Sequence, residues 1–325
     1  MATIVTESNT SVPSDVTETT FTEYTAKQAN IYNDLRPNYH SSVYDHILDY
    51  HKSTGGKFDA LVDVGCGPGM VTRSLATHFI DATGIDPSPE LLKVADGHPD
   101  KASNTTFAAA SAGTFCPSPI APGSASLITT ANAAHWFPSM ATFYARASTA
   151  LQPGGTLAIW TTGDIRAAPD MPNSAAIQAA MDYHIDVEMK DYRDKGNALV
   201  RGGYRDLDLP WSSQGKGEED LSNDFDEGSF VRREWKITEM FLDSKKIDER
   251  GASLEMVEMM YGTGSAVTRW REAHPEKANT PEDPVKRLVA QLGALLREAG
   301  VKAGEERLKG TAAGVVLLFK KRMNT

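Results

Sequence analysis

Cysteine is nearly absent. The 325 residues contain two, Cys66 and Cys116, which form no metal-ligand spacing and no disulfide framework. A reducing, cytosolic setting is the matching expectation. There is no run of about 18 apolar residues of the kind a bilayer span needs. The first twenty residues are rich in Thr, Ser, Glu and Asp and lack the basic start and apolar block of a secretory leader. A soluble chain with no membrane partner is expected. Positive charge is also scarce: 33 Lys and Arg stand against 43 Asp and Glu, a net charge of -10. Proteins that bind a nucleic-acid backbone concentrate cations to displace its counterions, so nucleic acid is excluded as a partner and a small molecule is expected, on a monomer or homodimer.

With 40% hydrophobic and 23% charged residues, the chain can fill one full α/β core and carry an elaboration. Residues 1–20 are too polar to offset the entropy of ordering and read as a mobile tail. From Phe21 to His51 the large apolar residues are spaced as amphipathic helix, and Arg36-Pro37 divides it in two. Ala60 to Val64 reads as the first strand, Ala82 to Ile85 as the second, Thr105 to Ala109 as the third, Ser126 to Thr130 as the fourth and Thr156 to Trp160 as the fifth. Helices fall between them: one from Val71, one from Ser88-Pro89-Glu90 with its hydroxyl cap and early proline, and Phe143 to Leu151, closed by Pro153-Gly154-Gly155. Strands alternating with helices predict βαβ units and a doubly wound parallel sheet. Beyond Gly163 the pattern breaks up at Pro169-Asp170, Gly202-Gly203 and Gly215 to Asp220, so residues 165–225 read as an insertion over the site. Phe230 to Thr238 and Gly314 to Phe319 read as strands, Ser253 to Tyr261 and Pro284 to Ala299 as helices.

The stretch Leu61-Val62-Asp63-Val64-Gly65-Cys66-Gly67-Pro68-Gly69 organises the rest. An apolar strand ends in an acid and a turn of alternating glycines, which leaves no Cβ in the turn and lets backbone N–H groups press against a bound molecule. The dinucleotide spacing G-x-G-x-x-G would put its third glycine at residue 70, which is Met70, and no Gly-Lys-Ser/Thr follows. A nicotinamide-dependent dehydrogenase is disfavoured, and a P-loop is excluded. What is left is an acid, the glycine turn and a second acid, Asp86, ending the next strand.

That arrangement resembles motif I of the class I S-adenosylmethionine-dependent methyltransferases. Asp86-Pro87-Ser88 matches the acidic position after it, Ala110-Ser111-Ala112-Gly113 the adenine loop, and Leu151-Gln152-Pro153-Gly154-Gly155 the turn before the fifth strand. Tyr32 to Tyr39 (Tyr-Asn-Asp-Leu-Arg-Pro-Asn-Tyr) and Ala134-His135-Trp136-Phe137 are similar to the trans-aconitate methyltransferase branch, fungal members above all. The resemblance is strong over 21–162 and loose beyond. It implies a Rossmann-like sheet of seven strands with the last antiparallel, N-terminal helices, a lid at 165–225 and an acceptor pocket completed by 250–300.

It further implies S-adenosylmethionine as cofactor, held by Tyr32, Arg36, Asp63, Gly65, Cys66, Gly67, Gly69, Asp86, Pro87, Ser88, Ser111, Ala112 and Asn132. Asp86 would accept both ribose hydroxyls, and Asp63 would attract the cofactor's ammonium or cap the loop's own amides. Ser111 stands where the family often has an acid, which leaves the adenine to backbone. Tyr32 and Arg36 would meet a carboxylate or pin the N-terminal helix. His135 is the candidate general base or substrate-orienting group, with a structural hydrogen bond beside Trp136 as the other role open to it. Trp136, Phe137 and Tyr261 would line the acceptor pocket, together with Met259 and Met260 unless these pack the core. The expected reaction is methyl transfer to an oxygen of a small organic acid or secondary metabolite. Transfer to sulfur or carbon, or a lyase or cyclisation step on the same cofactor, is the alternative.

Overall fold

The structure, a computed structural model, describes residues 21–212, 221–243, 247 and 250–323. The tail at 1–20 and the cluster Gly215 to Asp220 lie outside the described residues. Seven strands form one sheet: β1 (Ala60–Val64), β2 (Asp81–Asp86), β3 (Thr105–Ala109), β4 (Ala125–Ala131), β5 (Leu151–Ala167), β6 (Phe225–Trp235) and β7 (Gly310–Lys321), in the order β3-β2-β1-β4-β5-β7-β6. The first five run parallel, and β7 is antiparallel to both of its neighbours. The sheet order reverses direction beside β1, so the ends of β1, β2 and β4 open a crevice there, the usual ligand position of a doubly wound sheet.

The central parallel strands β1 and β4 are buried on both faces, whereas the edge strand β3 is mostly only partly buried. In β4 only Ala131 escapes full burial, which is why the central strands read as continuous apolar runs rather than as an alternation. One face is covered by α5 (Met140–Ala150), with Phe143, Tyr144 and Ala147 packed on Ile128, Ile159 and Phe319. The other is covered by α2 (Ser41–Ser53) and α3 (Met70–Ala76), with Val43, Ile47, Val71 and Leu75 against Leu61, Trp160 and Val316. Helix α1 (Ala26–Leu35) starts on a Thr25/Gln28 capping box and stops before Pro37, whose ring disfavours helix at the residue before it. Helix α4 (Pro89–Asp96) begins on the Ser88 cap as expected.

Three expectations change. The fifth strand is 17 residues long, from Leu151 to Ala167. Pro153-Gly154-Gly155 does not separate helix from strand; it is a bulge inside β5, where the register jumps from Ala125/Leu151 to Leu127/Thr156 and Gly154 takes φ +73°. Residues 165–167 therefore belong to the sheet, where they pair with β7. The insertion after them is helical among the described residues, with α6 (Ser174–Tyr183), a π-helical turn at His184–Glu188 and α7 (Lys195–Arg201). Its first half packs with α8 (Leu254–Gly262), α9 (Ser265–Ala273) and α10 (Pro284–Glu298) in a separate core built on Ile177, Met181, Val257, Trp270, Leu288 and Leu292. Its second half, with Tyr204 and Leu207, joins the core under α5.

Phe107 on β3 fixes the crevice from below. A Cβ added at Gly84 of β2 would lie 2.5 Å from its ring and 2.9 Å from Cys66 Sγ, and one added at Gly69 would lie 2.6 Å from it. Gly84→Ala is therefore expected to cost about 1–3 kcal/mol through overpacking, read as a lower urea midpoint; an unchanged midpoint would show that Phe107 can yield.

Candidate active site

The glycine turn is wound by three left-handed residues, Gly65 at φ +72°, Gly67 at φ +54° and Gly69 at φ +76°. Only Gly65 and Gly67 face the cavity; Gly69 lies against Phe107 and Ala95. The turn's amides are used internally. Those of Gly65 and Cys66 donate to the Ile85 carbonyl at 2.8 and 3.0 Å, that of Gly69 to the Cys66 carbonyl at 3.0 Å, and that of Gly67 to Asp86 Oδ2 at 2.8 Å. The turn thus offers a smooth surface for close approach rather than the free donors expected of it.

Asp86 also accepts the Ser88 amide on Oδ1 at 2.9 Å. These bonds orient the Asp86 carboxylate, and it lines the cavity at 7% exposure. Ser88 is consumed as the α4 cap and does not line the cavity. Asp63 is buried, at 1% exposure, and receives the hydroxyls of Thr72 on Oδ2 (2.7 Å) and Thr129 on Oδ1 (2.8 Å). It therefore does not cap the loop. Burial pushes its carboxyl up to about 6 in spite of those bonds.

The cavity measures about 430 Å³. Tyr32, Arg36, Asp63, Gly65, Cys66, Gly67, Asp86, Pro87, Ser111, Ala112 and Asn132 of the expected cofactor set line it, as do Trp136, Phe137 and Tyr261 of the expected acceptor set. Burial pushes the Cys66 thiol well above its usual range, which leaves it an inert wall. Ser111 closes a turn on itself, its hydroxyl meeting Thr114 Oγ1 at 3.0 Å and the Gly113 amide at 3.1 Å. Asn132, at φ +50°, accepts from Thr161 Oγ1 and the Thr162 amide and so ties the end of β4 to β5. Arg36 lies over the Tyr32 ring at 4.8 Å, its Nε is buried without a hydrogen-bond partner, and it has no carboxylate partner among the described residues.

His135 is placed otherwise than expected of a base. It is not among the lining residues; its Nδ1 meets the Tyr204 hydroxyl at 2.6 Å, and its ring and carbonyl pack against Gly196 of α7. Burial, helped by the Arg36 charge, holds it down to about 3, so it is a neutral hydrogen-bonding strut between the end of β4 and the insertion. Met259 is 40% exposed and does not line the cavity, whereas Met260 does. The lining also includes groups that sequence reasoning passed over: Asp164, His184, Arg193, Asn197, Thr263 and Ser265. For His184 a signal existed, an acid four residues on at Glu188. Among the described residues no cluster of His, Cys, Asp and Glu could hold a metal ion, and no helix is long and apolar enough to cross a membrane.

The raised carboxyl of Asp63 sets a pH dependence. Its folded-state value of about 6 lies above the ordinary 3.8, so the folded protein holds that proton more tightly than the unfolded chain. The stability it contributes is complete below about pH 4 and is lost as pH rises to about 6, on the order of 3 kcal/mol. Asp63→Asn is expected to flatten that part of the stability profile in chemical denaturation between pH 4 and 7. Parallel profiles for the two proteins would refute the assignment.

Known proteins share this architecture. Residues 62–159 match the family model for a methyltransferase domain. A methyltransferase of Aspergillus candidus is 33% identical over 170 residues, 51% of this chain and 52% of that protein. A probable S-adenosylmethionine-dependent methyltransferase of Saccharomyces cerevisiae is 32% identical over 132 residues, 40% and 43% of the two chains. A trans-aconitate 2-methyltransferase of Methylobacterium radiotolerans is 38% identical over 100 residues, 30% and 36% of the two. The chain thus spans about half the length of such relatives, or less. The solved structure of a candidate type II methyltransferase from Anaeromyxobacter dehalogenans superposes with a TM-score of 0.56 at 21% identity, over 88% of this chain and 97% of that one, which shows a common fold. With the glycine turn, the acid ending β2 and the 3-2-1-4-5-7-6 sheet around them, residues 62–159 are a methyltransferase domain of the class I, S-adenosylmethionine-dependent type.

Proposed function

We propose that the protein transfers the methyl group of S-adenosylmethionine to an oxygen of a small-molecule acceptor. The observation that carries this reading is the single cavity that joins Gly65, Gly67 and Asp86 at the sheet edge to a wall from the insertion and from α8 and α9. The cofactor, when bound, supplies a methyl group activated on a sulfonium. Asp86 is positioned by its two amide bonds to accept from the ribose hydroxyls, and Gly65 and Gly67 allow the amino-acid end to lie on backbone. Arg36 lines the cavity as a cation without a carboxylate among the described residues, which fits the cofactor's carboxylate. Asp63, at the cavity wall and held by its two threonines, contributes attraction for the ammonium through its field. Ala112 and the Ser111 turn border the adenine end.

Methyl transfer is an in-line displacement, so positioning accounts for much of its acceleration. Trp136, Phe137 and Tyr261 form the apolar acceptor wall, and the insertion between β5 and β6 acts as a cap that excludes water. The net charge of -10 and the depth of the site favour a small acceptor over a nucleic acid. The oxygen acceptor rests on the relationship to trans-aconitate methyltransferases, whose name specifies methylation of an organic acid.

Calorimetric titration with S-adenosylmethionine tests the first step. The wild-type protein should bind; Asp86→Ala should weaken binding by roughly 10- to 100-fold, the worth of a charged hydrogen bond pair, and Arg36→Ala by roughly 10-fold. Absence of binding, or binding indifferent to Asp86→Ala, would sink the reading. For the cap, Val200→Trp, which fills the cavity wall from α7, should raise KM for the acceptor several-fold more than that for the cofactor; an equal effect on both would count against it.

A further inference from the structure

A histidine in the acceptor half of the cavity, far along the chain from the glycine turn, is backed by a carboxylate. His184 opens the π-helical turn that follows α6, a wide turn of the sort often kept at functional sites, closed by the Met189 amide on the His184 carbonyl at 3.0 Å. The turn brings Glu188 back onto the ring: Oε2 lies 2.9 Å from His184 Nδ1, while Oε1 receives Arg287 of α10 at 2.6 Å. An ionised carboxylate only accepts hydrogen bonds, so the network puts the ring proton on Nδ1 and leaves Nε2 bare. His184 is 2% exposed and lines the cavity, and its Nε2 has no hydrogen-bond partner among the described residues. Nor is Nε2 one of the polar atoms sealed off without a partner. The edge of Tyr261, centroid to centroid 5.7 Å, holds the ring from α8.

We infer that His184 is the general base of the acceptor site, with Glu188 as the residue that positions it and Arg287 as the anchor of Glu188. The inference rests on the methyl-transfer reading and names the residue that makes a protonated acceptor reactive. As the acceptor oxygen attacks, its O–H proton passes to His184 Nε2, the oxygen's electron pair forms the new bond to the methyl carbon, and the pair of the broken C–S bond remains on sulfur. Glu188 then faces an imidazolium, whose proton returns to solvent when the product leaves. Four groups face the ring: Glu188 from its own turn, Arg287 from α10, Asp283 from the cap of α10, and Tyr261 from α8. Burial lowers the affinity of His184 for a proton more than Glu188 and Asp283 raise it, so the ring is neutral and ready to accept at pH 7.

The test uses the full chain, labelled S-adenosylmethionine, and phenol and thiophenol as matched probes, since thiophenol is already ionised at pH 8 and needs no base. His184→Ala should lower kcat for phenol by roughly 10²- to 10⁴-fold, leave thiophenol within about threefold, and leave the calorimetric Kd for S-adenosylhomocysteine unchanged. Glu188→Gln, which keeps an acceptor for Nδ1 but removes the charge, should move the acid limb of the phenol profile to lower pH. Equal losses on both probes in a protein that still binds S-adenosylhomocysteine would overturn the base. Failure of the wild-type protein to bind S-adenosylhomocysteine would overturn the donor reading instead. Ring-nitrogen NMR decides independently of turnover: at pH 8 the proton should sit on Nδ1 of His184, with Nε2 titrating below the usual histidine range. A proton on Nε2 refutes the proposal even if neither probe is methylated.

Discussion

Asp86 accepts two backbone amides at once, from Gly67 in the first loop and from Ser88 in the second, and much of the site depends on that pair of hydrogen bonds. The two loops leave neighbouring parallel strands and would otherwise be free to separate. Tying both to one carboxylate fixes the glycine surface, the acid itself and the start of α4 in a single frame. The left-handed glycines are the complement of this: with the Gly67 amide committed to Asp86, the chain turns sharply enough that a side chain at Gly65 would strike Ala133 at 2.5 Å.

The electrostatics of the cavity divide along its length. At the donor end stand one buried carboxylate, one oriented carboxylate and a cation with no counter-ion among the described residues. At the acceptor end His184 stands among apolar walls together with Asp164 and Arg193. Burial dominates both His135 and His184, but their positions differ: one joins two segments through Tyr204, the other turns a bare nitrogen toward the cavity.

The parallel half was legible because its central strands are buried on both faces, so Leu61 to Val64 or Leu127 to Thr130 stand out as blocks bounded by turn residues. The acid at the end of each of the first two strands was equally plain. Two kinds of feature were hidden. Pro153-Gly154-Gly155 carries every mark of a connection, and only the cross-strand register reveals that it is a bulge in a continuous strand. In the insertion, Gly202-Gly203 and Pro169 suggested irregular chain, whereas burial of Ile177, Met181 and Met189 against α8 to α10 makes the intervening residues helical. The role of His184 depends on that tertiary packing: its spacing to Glu188 is visible in the chain, but the wall it belongs to is not.

The separate core shared by α6 and α8 to α10 meets the sheet mainly where β5 ends, at Ala167, and draws on none of the residues that bury α2, α3 or α5. The walls that α8 and α9 lend to the cavity thus rest on a different core from the strands that carry the glycine turn and Asp86, and one cavity is shaped by two independently packed bodies of side chains.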